Sequence, residues 1–204
     1  MSGCEGAGAR SVGAGLLIVI SGPSGVGKDT IVKRMLAADA NLRYSVSHTT
    51  RARREYEVQG RHYNFVGEDE FRRFAAAGEL LESAEYNGHL YGTSRRPVEA
   101  AQSQGRDIIL KIEVQGAELV RRRRPDGVFI FIAPPSMAEL VERRARRGTD
   151  SEEEMAARQS LAEWEMTFAD RYDHVVVNED AGRAAAEILD LIRRERVRRP
   201  GVRA

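Results

Sequence analysis

A glycine-rich loop near the start of the sequence has the spacing of a phosphate-binding loop. The apolar residues 16–20 lead into Gly22, and four residues separate that glycine from Gly27, which Lys28 follows directly. Glycines let successive backbone N–H groups point at a polyphosphate, and the N-terminus of the following helix adds partial positive charge. Lys28 supplies a mobile point charge for the β- and γ-phosphates of a nucleotide. The expected contacts of this nucleotide are Gly22, Pro23, Ser24, Gly25, Val26, Gly27, Lys28, Asp29 and Thr30.

The residue after Lys28 departs from the usual pattern of such a loop. Asp29 stands where a serine or threonine hydroxyl ordinarily ligates Mg²⁺. A carboxylate is also a hard oxygen ligand, directly or through water, but it repels phosphates unless the metal lies between them. Thr30 offers a hydroxyl one residue later, where a helical side chain points about 100° away. The sequence therefore leaves open how Mg²⁺ is held, with Asp29 as the candidate ligand.

Two arginines and two tyrosines farther along the chain have the chemistry of a clamp for a second phosphate. Arg51 and Arg54 can each make bidentate contacts to phosphate, and Tyr63 and Tyr91 can donate phenolic hydrogen bonds. Taken singly, each of these residues also has a simpler interpretation. The arginines could lie on a solvated loop, the tyrosines in a small apolar core, and Glu82, which lies between the two tyrosines in the sequence, could be a surface carboxylate. Their joint order behind a phosphate loop favours a binding site.

At these residues the chain resembles the guanylate kinases. The motifs that carry the resemblance are residues 45–54, 57–65 and 86–93 together with Glu82, and the likeness extends from about residue 15 to 191. It implies a Mg²⁺-dependent transfer of the γ-phosphoryl group of ATP to GMP or dGMP, giving ADP and a guanosine diphosphate. ATP and GMP are the expected partners. Purine nucleotide metabolism and GMP recycling are the expected context.

The resemblance also implies how the acceptor base is read. Glu82 matches the family's base-reading glutamate, whose carboxylate can accept hydrogen bonds from guanine N1–H and N2–H₂, and Ser47 and Thr93 match hydroxyls that reach the base. Adenine presents an acceptor where guanine presents N1–H. AMP would therefore leave the carboxylate unpaired, which can discriminate by about 10⁴ or more. The expected GMP-binding residues are Ser47, Arg51, Arg54, Tyr63, Glu82, Tyr91, Thr93 and Glu113.

An arginine-dense segment between two predicted helices is interpreted as a lid. Arg144 and Arg147 match arginines that close over the ATP phosphates, and Arg158 matches one on the next helix. Phosphoryl transfer needs mainly positioning and charge neutralisation, so converging arginines suit it. For Arg143 and Arg146 a helix-surface charge is the preferred interpretation.

The expected catalytic residues are drawn from both nucleotide sites and the lid. They are Lys28, Arg51, Arg144, Arg147 and Arg158. Asn178, which follows the last predicted core strand, resembles the family's asparagine on the ATP side.

Lys111 is a second departure from the family pattern. Many relatives carry an acidic residue there, and aspartate where Glu113 stands. Lysine reverses the charge near the metal, whereas Glu113 keeps a carboxylate on a side chain one carbon longer, for guanine or hydrated Mg²⁺. We hypothesise a compensated exchange, in which Asp29 supplies the metal-facing carboxylate and Lys111 pairs with an acid.

Short apolar runs alternate with helical patterns, which predicts the elements that position these residues. The expected core strands are residues 16–20, 44–47, 108–112, 128–132 and 174–177. The expected helices of the core are residues 28–38, 114–123, 136–146, 151–168 and 181–196. This order predicts an α/β fold with a doubly wound, five-stranded parallel sheet whose ligands lie at the carboxyl ends of the strands. Trp164 is expected to pack against the core.

Residues 49–97 interrupt that alternation and predict a small mixed α/β lobe for GMP. Asn87 and Gly88 indicate a hairpin, and residues 68–77 a short helix. The phosphate-loop core then comprises residues 15–48 and 98–196, with the lid at about 142–158. Residues 1–14 predict a flexible N-terminal tail, and residues 197–204 a basic C-terminal tail.

Composition limits the remaining possibilities. The 204 residues include 32 Lys and Arg against 31 Asp and Glu, so no overall basic field favours nucleic acid. Cys4 is the single cysteine, and the longest apolar run is far too short to cross a membrane, so a cytoplasmic protein is expected, as a monomer or homodimer. Two alternatives stay open: a kinase for another nucleoside monophosphate, and a non-catalytic interaction module of the same fold.

Overall fold

The computed structural model describes residues 14–145 and 152–199, without the side chains of Arg144 and of residues 152–156. The strands of this part are β1 (Leu17–Ser21), β2 (Leu42–Tyr44), β3 (His48–Thr49), β4 (Asn64–Phe65), β5 (Leu80–Tyr86), β6 (His89–Ser94), β7 (Asp107–Lys111), β8 (Val128–Ala133) and β9 (His174–Val177). Its α-helices are α1 (Lys28–Ala38), α2 (Glu68–Ala76), α3 (Arg95–Ser103), α4 (Val114–Arg123), α5 (Met137–Ala145), α6 (Glu152–Met166) and α7 (Ala181–Arg198).

The core is a five-stranded parallel sheet in the order β2-β7-β1-β8-β9, which confirms the predicted fold. Most predicted elements lie within a residue or two of their expected bounds. The predicted strand at residues 44–47 is the exception, because β2 ends at Tyr44 and the chain then leaves the sheet toward the second lobe. Helix α3 was not predicted, since its run of polar residues leaves only Val98, Ala101 and Gln102 buried.

Strand β1 runs through the centre of the sheet and is buried along its whole length. Successive side chains of a strand point to opposite faces, so a strand covered on both sides is apolar along most of its length, and in β1 only the last residue, Ser21, is polar. Ile18 and Ile20 pack in one cluster with residues of α1 and α7, whereas Leu17 and Val19 pack in another with residues of α3 and α4. Both layers fix the carboxyl end of β1, where the glycine-rich loop begins.

The interrupting segment forms a four-stranded mixed sheet in the order β4-β3-β6-β5. Asn87 and Gly88 adopt the left-handed backbone conformation at the turn between β5 and β6, as the hairpin prediction requires. Phe71 of α2 is buried against this sheet, and a Cβ on Gly92 would lie 2.9 Å from its ring, so β6 needs glycine there.

One packing prediction is wrong. Trp164 is 41% exposed and makes an edge-to-face contact with Phe168, because it lies on the outer face of α6. Within the residues that the structure describes, we find no helix whose length and apolar character would let it cross a membrane.

Candidate active site

The glycine-rich loop joins the end of β1 to the start of α1 and is fixed by close backbone contacts. Gly22 has a φ of 142°, and a Cβ there would lie 2.1 Å from the carbonyl oxygen of Ile132. The side-chain amide of Asn178 donates to the carbonyl oxygen of Val26 at 2.6 Å, and a Cβ on Gly27 would lie 2.5 Å from the same nitrogen. Asn178 therefore supports the glycine-rich loop, and its role on the ATP side stays a prediction.

Lys28 lies inside the curve of this loop. Its ammonium donates to the carbonyl oxygens of Gly22 and, at 3.2 Å, Pro23, and lies 3.9 Å from Glu113 Oε2. The side chain is 11% exposed. A lysine held this way is positioned to meet phosphates that enter the loop.

A buried carboxylate that the sequence did not reveal lies beneath the loop. Glu165 of α6 is fully buried, and its Oε2 accepts a hydrogen bond from the backbone N–H of Ser24 at 3.4 Å. Burial raises the pKa of Glu165, and the neighbouring Glu113 carboxylate raises it further. No motif marks this glutamate, because it reaches the loop only through the packing of α6.

Arg51 of the predicted clamp is held by a carboxylate. Glu57 is 4% exposed and accepts two hydrogen bonds from the Arg51 guanidinium, at 3.0 and 2.6 Å. The backbone N–H of Arg54 donates to the same carboxylate at 2.8 Å. Burial alone would raise the pKa of Glu57, but these hydrogen bonds and the Arg51 charge outweigh it and lower the pKa. Sequence reasoning missed Glu57, although its spacing from the two arginines could have indicated it.

The two predicted tyrosines lie beside Arg51. The rings of Tyr63 and Tyr91 meet edge to face with centroids 5.9 Å apart, and the Arg51 guanidinium lies 5.6 Å from the Tyr63 centroid. Burial raises the pKa of Tyr63, so its hydroxyl stays protonated and can donate. Arg54 is more exposed, and its guanidinium donates to the hydroxyl of Tyr56 at 2.9 Å. The structure thus brings the four clamp residues together.

Glu82 lies in β5 of the four-stranded sheet and is 2% exposed. The hydroxyl of Thr93 donates to its Oε1 at 2.7 Å, and burial raises the pKa of Glu82 to about 7. Gly116 of α4 faces the other oxygen, since a Cβ there would lie 3.0 Å from Glu82 Oε2. Ser47 is buried nearby, and its hydroxyl has no hydrogen-bond partner within residues 14–145 and 152–199. Gly116 is a further site residue that the sequence did not single out.

One continuous cleft joins these groups. A cavity of about 280 Å³ is lined by the glycine-rich loop, the clamp residues, Lys111, Glu113 and Arg158. A smaller cavity of about 30 Å³ continues from it to Ser47, Glu82 and Gly116. Tyr63, Tyr91, Lys111 and Glu113 line both cavities. The arrangement can hold one phosphate chain at the loop and an acceptor whose phosphate and base lie farther along.

Part of the predicted lid falls outside this description. Arg144 lies in α5 without a described side chain, and Arg146 and Arg147 lie outside the described residues. The surface-charge interpretation of Arg143 is wrong. Its guanidinium pairs with Glu139 and donates to the carbonyl oxygen of Asn178 at 2.9 Å, which ties α5 to the segment that supports the loop.

The two residues that depart from the family pattern, Lys111 and Asp29, are in contact. The ammonium of Lys111, at the end of β7, donates to the carboxylate of Asp29, at the start of α1. Burial disfavours a charge on Lys111, but Tyr44 and Asp29 outweigh that effect and raise its pKa. The acid with which Lys111 pairs is therefore Asp29 itself, and the role of Asp29 toward a metal stays a prediction.

Comparisons with known proteins identify the family. A family model described as guanylate kinase matches residues 15–195. A guanylate kinase from Thermotoga maritima is 44% identical over 90% of this chain and 89% of its own, and one from Symbiobacterium thermophilum is 49% identical over 90% and 87%. The crystal structure of a guanylate kinase from Anaplasma phagocytophilum has a TM-score of 0.76 at 36% identity, covering 90% of this chain and 87% of that chain. The chain belongs to the guanylate kinase family, as its motifs predicted.

Proposed function

We propose that this chain transfers the γ-phosphoryl group of ATP to GMP or dGMP, giving ADP and the corresponding guanosine diphosphate. The observation that carries the proposal is Glu82, a buried carboxylate at the far end of a cleft that begins at the phosphate loop. Guanine offers two adjacent N–H donors to such a carboxylate, and adenine offers an acceptor where guanine has N1–H. A site built around Glu82 therefore accepts guanine and rejects adenine.

On the donor side, the loop N–H groups and Lys28 hold the ATP phosphates. Lys28 rests against loop carbonyl oxygens and near Glu113, so entering phosphates offer it a stronger partner without a large movement. Arg158 lines the same cavity from α6 and adds charge over the phosphates. Together with Arg144 and Arg147 of the proposed lid, it would neutralise the charge that develops during transfer.

On the acceptor side, Arg51, Arg54, Tyr63 and Tyr91 hold the phosphate of GMP. Glu57 fixes Arg51 in place through two hydrogen bonds, so this guanidinium loses little conformational freedom when the phosphate binds. The protonated phenol of Tyr63 donates to a phosphate oxygen. Positioning of the acceptor oxygen in line with the γ-phosphate is the main catalytic contribution that these residues make.

We propose that Mg²⁺ accompanies ATP. In the part of the chain that the structure describes, no three His, Cys, Asp or Glu side chains group to hold a metal. Asp29 offers one hard carboxylate oxygen at the end of the loop, and 85% of its side chain is exposed. These residues fit a metal that is held by phosphate oxygens, water and one carboxylate. Such a metal supplies charge neutralisation on the phosphates.

A substrate panel tests the proposal directly. ADP formation from Mg·ATP is measured with GMP, dGMP, AMP, CMP and UMP in turn. We expect turnover with GMP and dGMP and at least about 10³-fold lower kcat/KM with AMP. Preference for AMP would overturn the base-reading argument, and turnover with none would favour a non-catalytic interaction module.

The variant Lys28→Ala tests the donor side of the proposal. It should depress kcat much more than it weakens GMP binding, because Lys28 lies on the donor side. Equal losses in kcat and in GMP binding would point to collapse of the loop instead.

A cytoplasmic location and a monomeric or homodimeric state are also proposed. Light scattering on the purified protein measures the oligomeric state.

A further inference from the structure

Lys111 lies where the two proposed nucleotide sites meet. It is the last residue of β7, and its register partner in the sheet is Ile20 of β1, two residues before Gly22. Its side chain is 13% exposed and lines both the large cavity and its smaller continuation. The ammonium lies 5.8 Å from the ring centroid of Tyr63, which belongs to the acceptor clamp. A cation therefore lies at the carboxyl end of the parallel sheet, between the proposed ATP and GMP sites.

The ion pair of this lysine is unequal. Lys111 is nearly buried, whereas 85% of the Asp29 side chain is exposed. A buried ammonium needs an anion beside it, but an exposed carboxylate loses little when its partner leaves, because water replaces the partner. An anion that enters the cleft with more charge than Asp29 can take its place at Lys111. Asp29 then turns to solvent or to a cation that arrives with the anion.

A second ion pair of the chain shows the contrast. Arg196 of α7 pairs with Asp39 at 2.8 Å and with Asp107 at 2.5 Å. The side chain of Arg196 is 11% exposed and that of Asp107 only 1%. Both sides of that pair are buried, so neither can leave without stranding a charge. The Arg196 cluster is a fixed tie between elements, whereas the pair at Lys111 has one exchangeable side.

We propose that Lys111 is a catalytic cation for the phosphoryl group in transit and that Asp29 is its exchangeable counter-ion. The inference rests on the proposed donor and acceptor sites. In phosphate loops of this type, the residue after the lysine lies beside the β- and γ-phosphates, and Asp29 occupies that position. An ammonium bonded to Asp29 therefore lies within reach of the γ-phosphate. In the transfer, an oxygen of the GMP phosphate forms a bond to the γ-phosphorus while the bond to the β,γ-bridging oxygen breaks. The electron pair of that bond leaves with ADP, and Lys111 keeps its protons throughout.

Binding of ATP without metal separates this role from that of a structural tie. ATP and ADP affinities are measured by calorimetry in EDTA for wild type, Lys111→Met, Asp29→Asn and the double variant. Lys111→Met should weaken ATP binding by about 10- to 100-fold, the usual range for a hydrogen bond to a charged group. Asp29→Asn should strengthen it by about 10-fold, since the ammonium loses its competing partner. ADP, which lacks the γ-phosphate, should change by less than about threefold.

The double variant and a control give the decisive comparison. Most of the gain from Asp29→Asn should disappear when Lys111 is already Met, because that gain acts through the ammonium. If the double variant still binds ATP more tightly than Lys111→Met alone, Asp29 acts only by repelling phosphate. If both single variants bind ATP more weakly than wild type, the ion pair serves only to hold the structure together. Either result overturns the proposal. Lys33→Met, which removes an exposed lysine from the same helix as Asp29, should leave binding unchanged.

Kinetics give a second readout on the metal-loaded protein. Lys111→Met should lower kcat by about 100-fold and change the KM for GMP by less than about fivefold. An unchanged kcat would refute the catalytic role, even if wild-type turnover of GMP supports the proposed function. Thermal unfolding of each variant establishes that it is folded under assay conditions.

Discussion

Replacing Glu82 by Gln should weaken the use of GMP and at the same time stabilise the substrate-free protein. The two effects share one cause, since Glu82 is 2% exposed and burial raises its pKa to about 7. An ionised carboxylate in this buried position is unfavourable while the site is empty, and in the proposed function the guanine N–H groups compensate for its burial. Gln has the same shape but carries no charge and presents an N–H₂ group where guanine also donates.

The magnitudes follow from these contacts. Losing a hydrogen bond to a charged acceptor and leaving a buried donor unpaired together weaken binding by about 3 kcal/mol, or roughly 100-fold in kcat/KM for GMP. A carboxyl group whose pKa rises from 4.5 to about 7 on folding opposes folding by about 3 kcal/mol once both states are ionised. Glu82→Gln removes that opposition.

The sign of the pH dependence is fixed by the direction of the pKa shift. Because the folded state holds the Glu82 proton more tightly, stability from this group is fully present below about pH 4.5. It is lost as the pH rises to about 7 and beyond. The stability advantage of Glu82→Gln over wild type should therefore be small near pH 4.5 and about 3 kcal/mol near pH 8.

Urea unfolding of wild type and Glu82→Gln at several pH values measures the difference in the free energy of unfolding. Steady-state kinetics with GMP and AMP measure the change in kcat/KM. Glu79→Gln is the matched control, because Glu79 directly precedes β5 and is exposed, so its replacement should change neither the stability nor the kinetics. A stability difference that does not vary with pH would refute the buried ionisation. An unchanged GMP-to-AMP ratio would refute base reading by Glu82.

Three further predictions test the supports of the site. Glu57→Gln should raise the KM for GMP by about 10-fold with kcat less affected, because Arg51 loses a charged partner; steady-state kinetics at varied GMP check it. Gly116→Ala should lower GMP affinity by about 10-fold, measured by calorimetry, since the new Cβ would lie 3.0 Å from Glu82 Oε2, and unchanged affinity would show that the carboxylate can move. Arg196→Met should reduce the free energy of unfolding in urea by about 3–5 kcal/mol, because it strands the buried Asp107 carboxylate, while the KM for GMP stays as in wild type.

Much of the fold could be predicted because its signals are local. The apolar strands of the parallel sheet carry their own pattern, and a helix prediction at residues 28–38 or 114–123 needs only the adjacent sequence. Helix α3 was missed because it buries little of its surface. Trp164 was misplaced because an indole looks like core material until the orientation of α6 is known.

The site could be predicted where its residues carry chemistry suited to a nucleotide. The glycine-rich loop, the clamp and Glu82 stand in motifs whose spacing reflects the ligand. Glu165 and Gly116 contact other protein groups instead, so no ligand chemistry marks them in the sequence, and only its spacing from Arg51 and Arg54 could have indicated Glu57. The pairing of Lys111 with an acid could be hypothesised, because a reversed charge at one position requires compensation at another.

Three carboxylates of the cleft share one physical role, which is to hold its cations. Glu57 pairs with Arg51, Glu113 lies 3.9 Å from Lys28, and Asp29 pairs with Lys111. A cleft that binds a nucleoside triphosphate beside a nucleoside monophosphate, as we propose, needs several positive charges, and those charges repel one another and destabilise the folded protein unless anions lie among them. Entering phosphates can replace an exposed carboxylate at its cation, so the charge of the substrate compensates for the contact that its binding breaks. The degree of exchange then follows from burial: Glu57 at 4% exposure stays and orients Arg51, whereas the exposed Asp29 can leave Lys111 to the phosphoryl group.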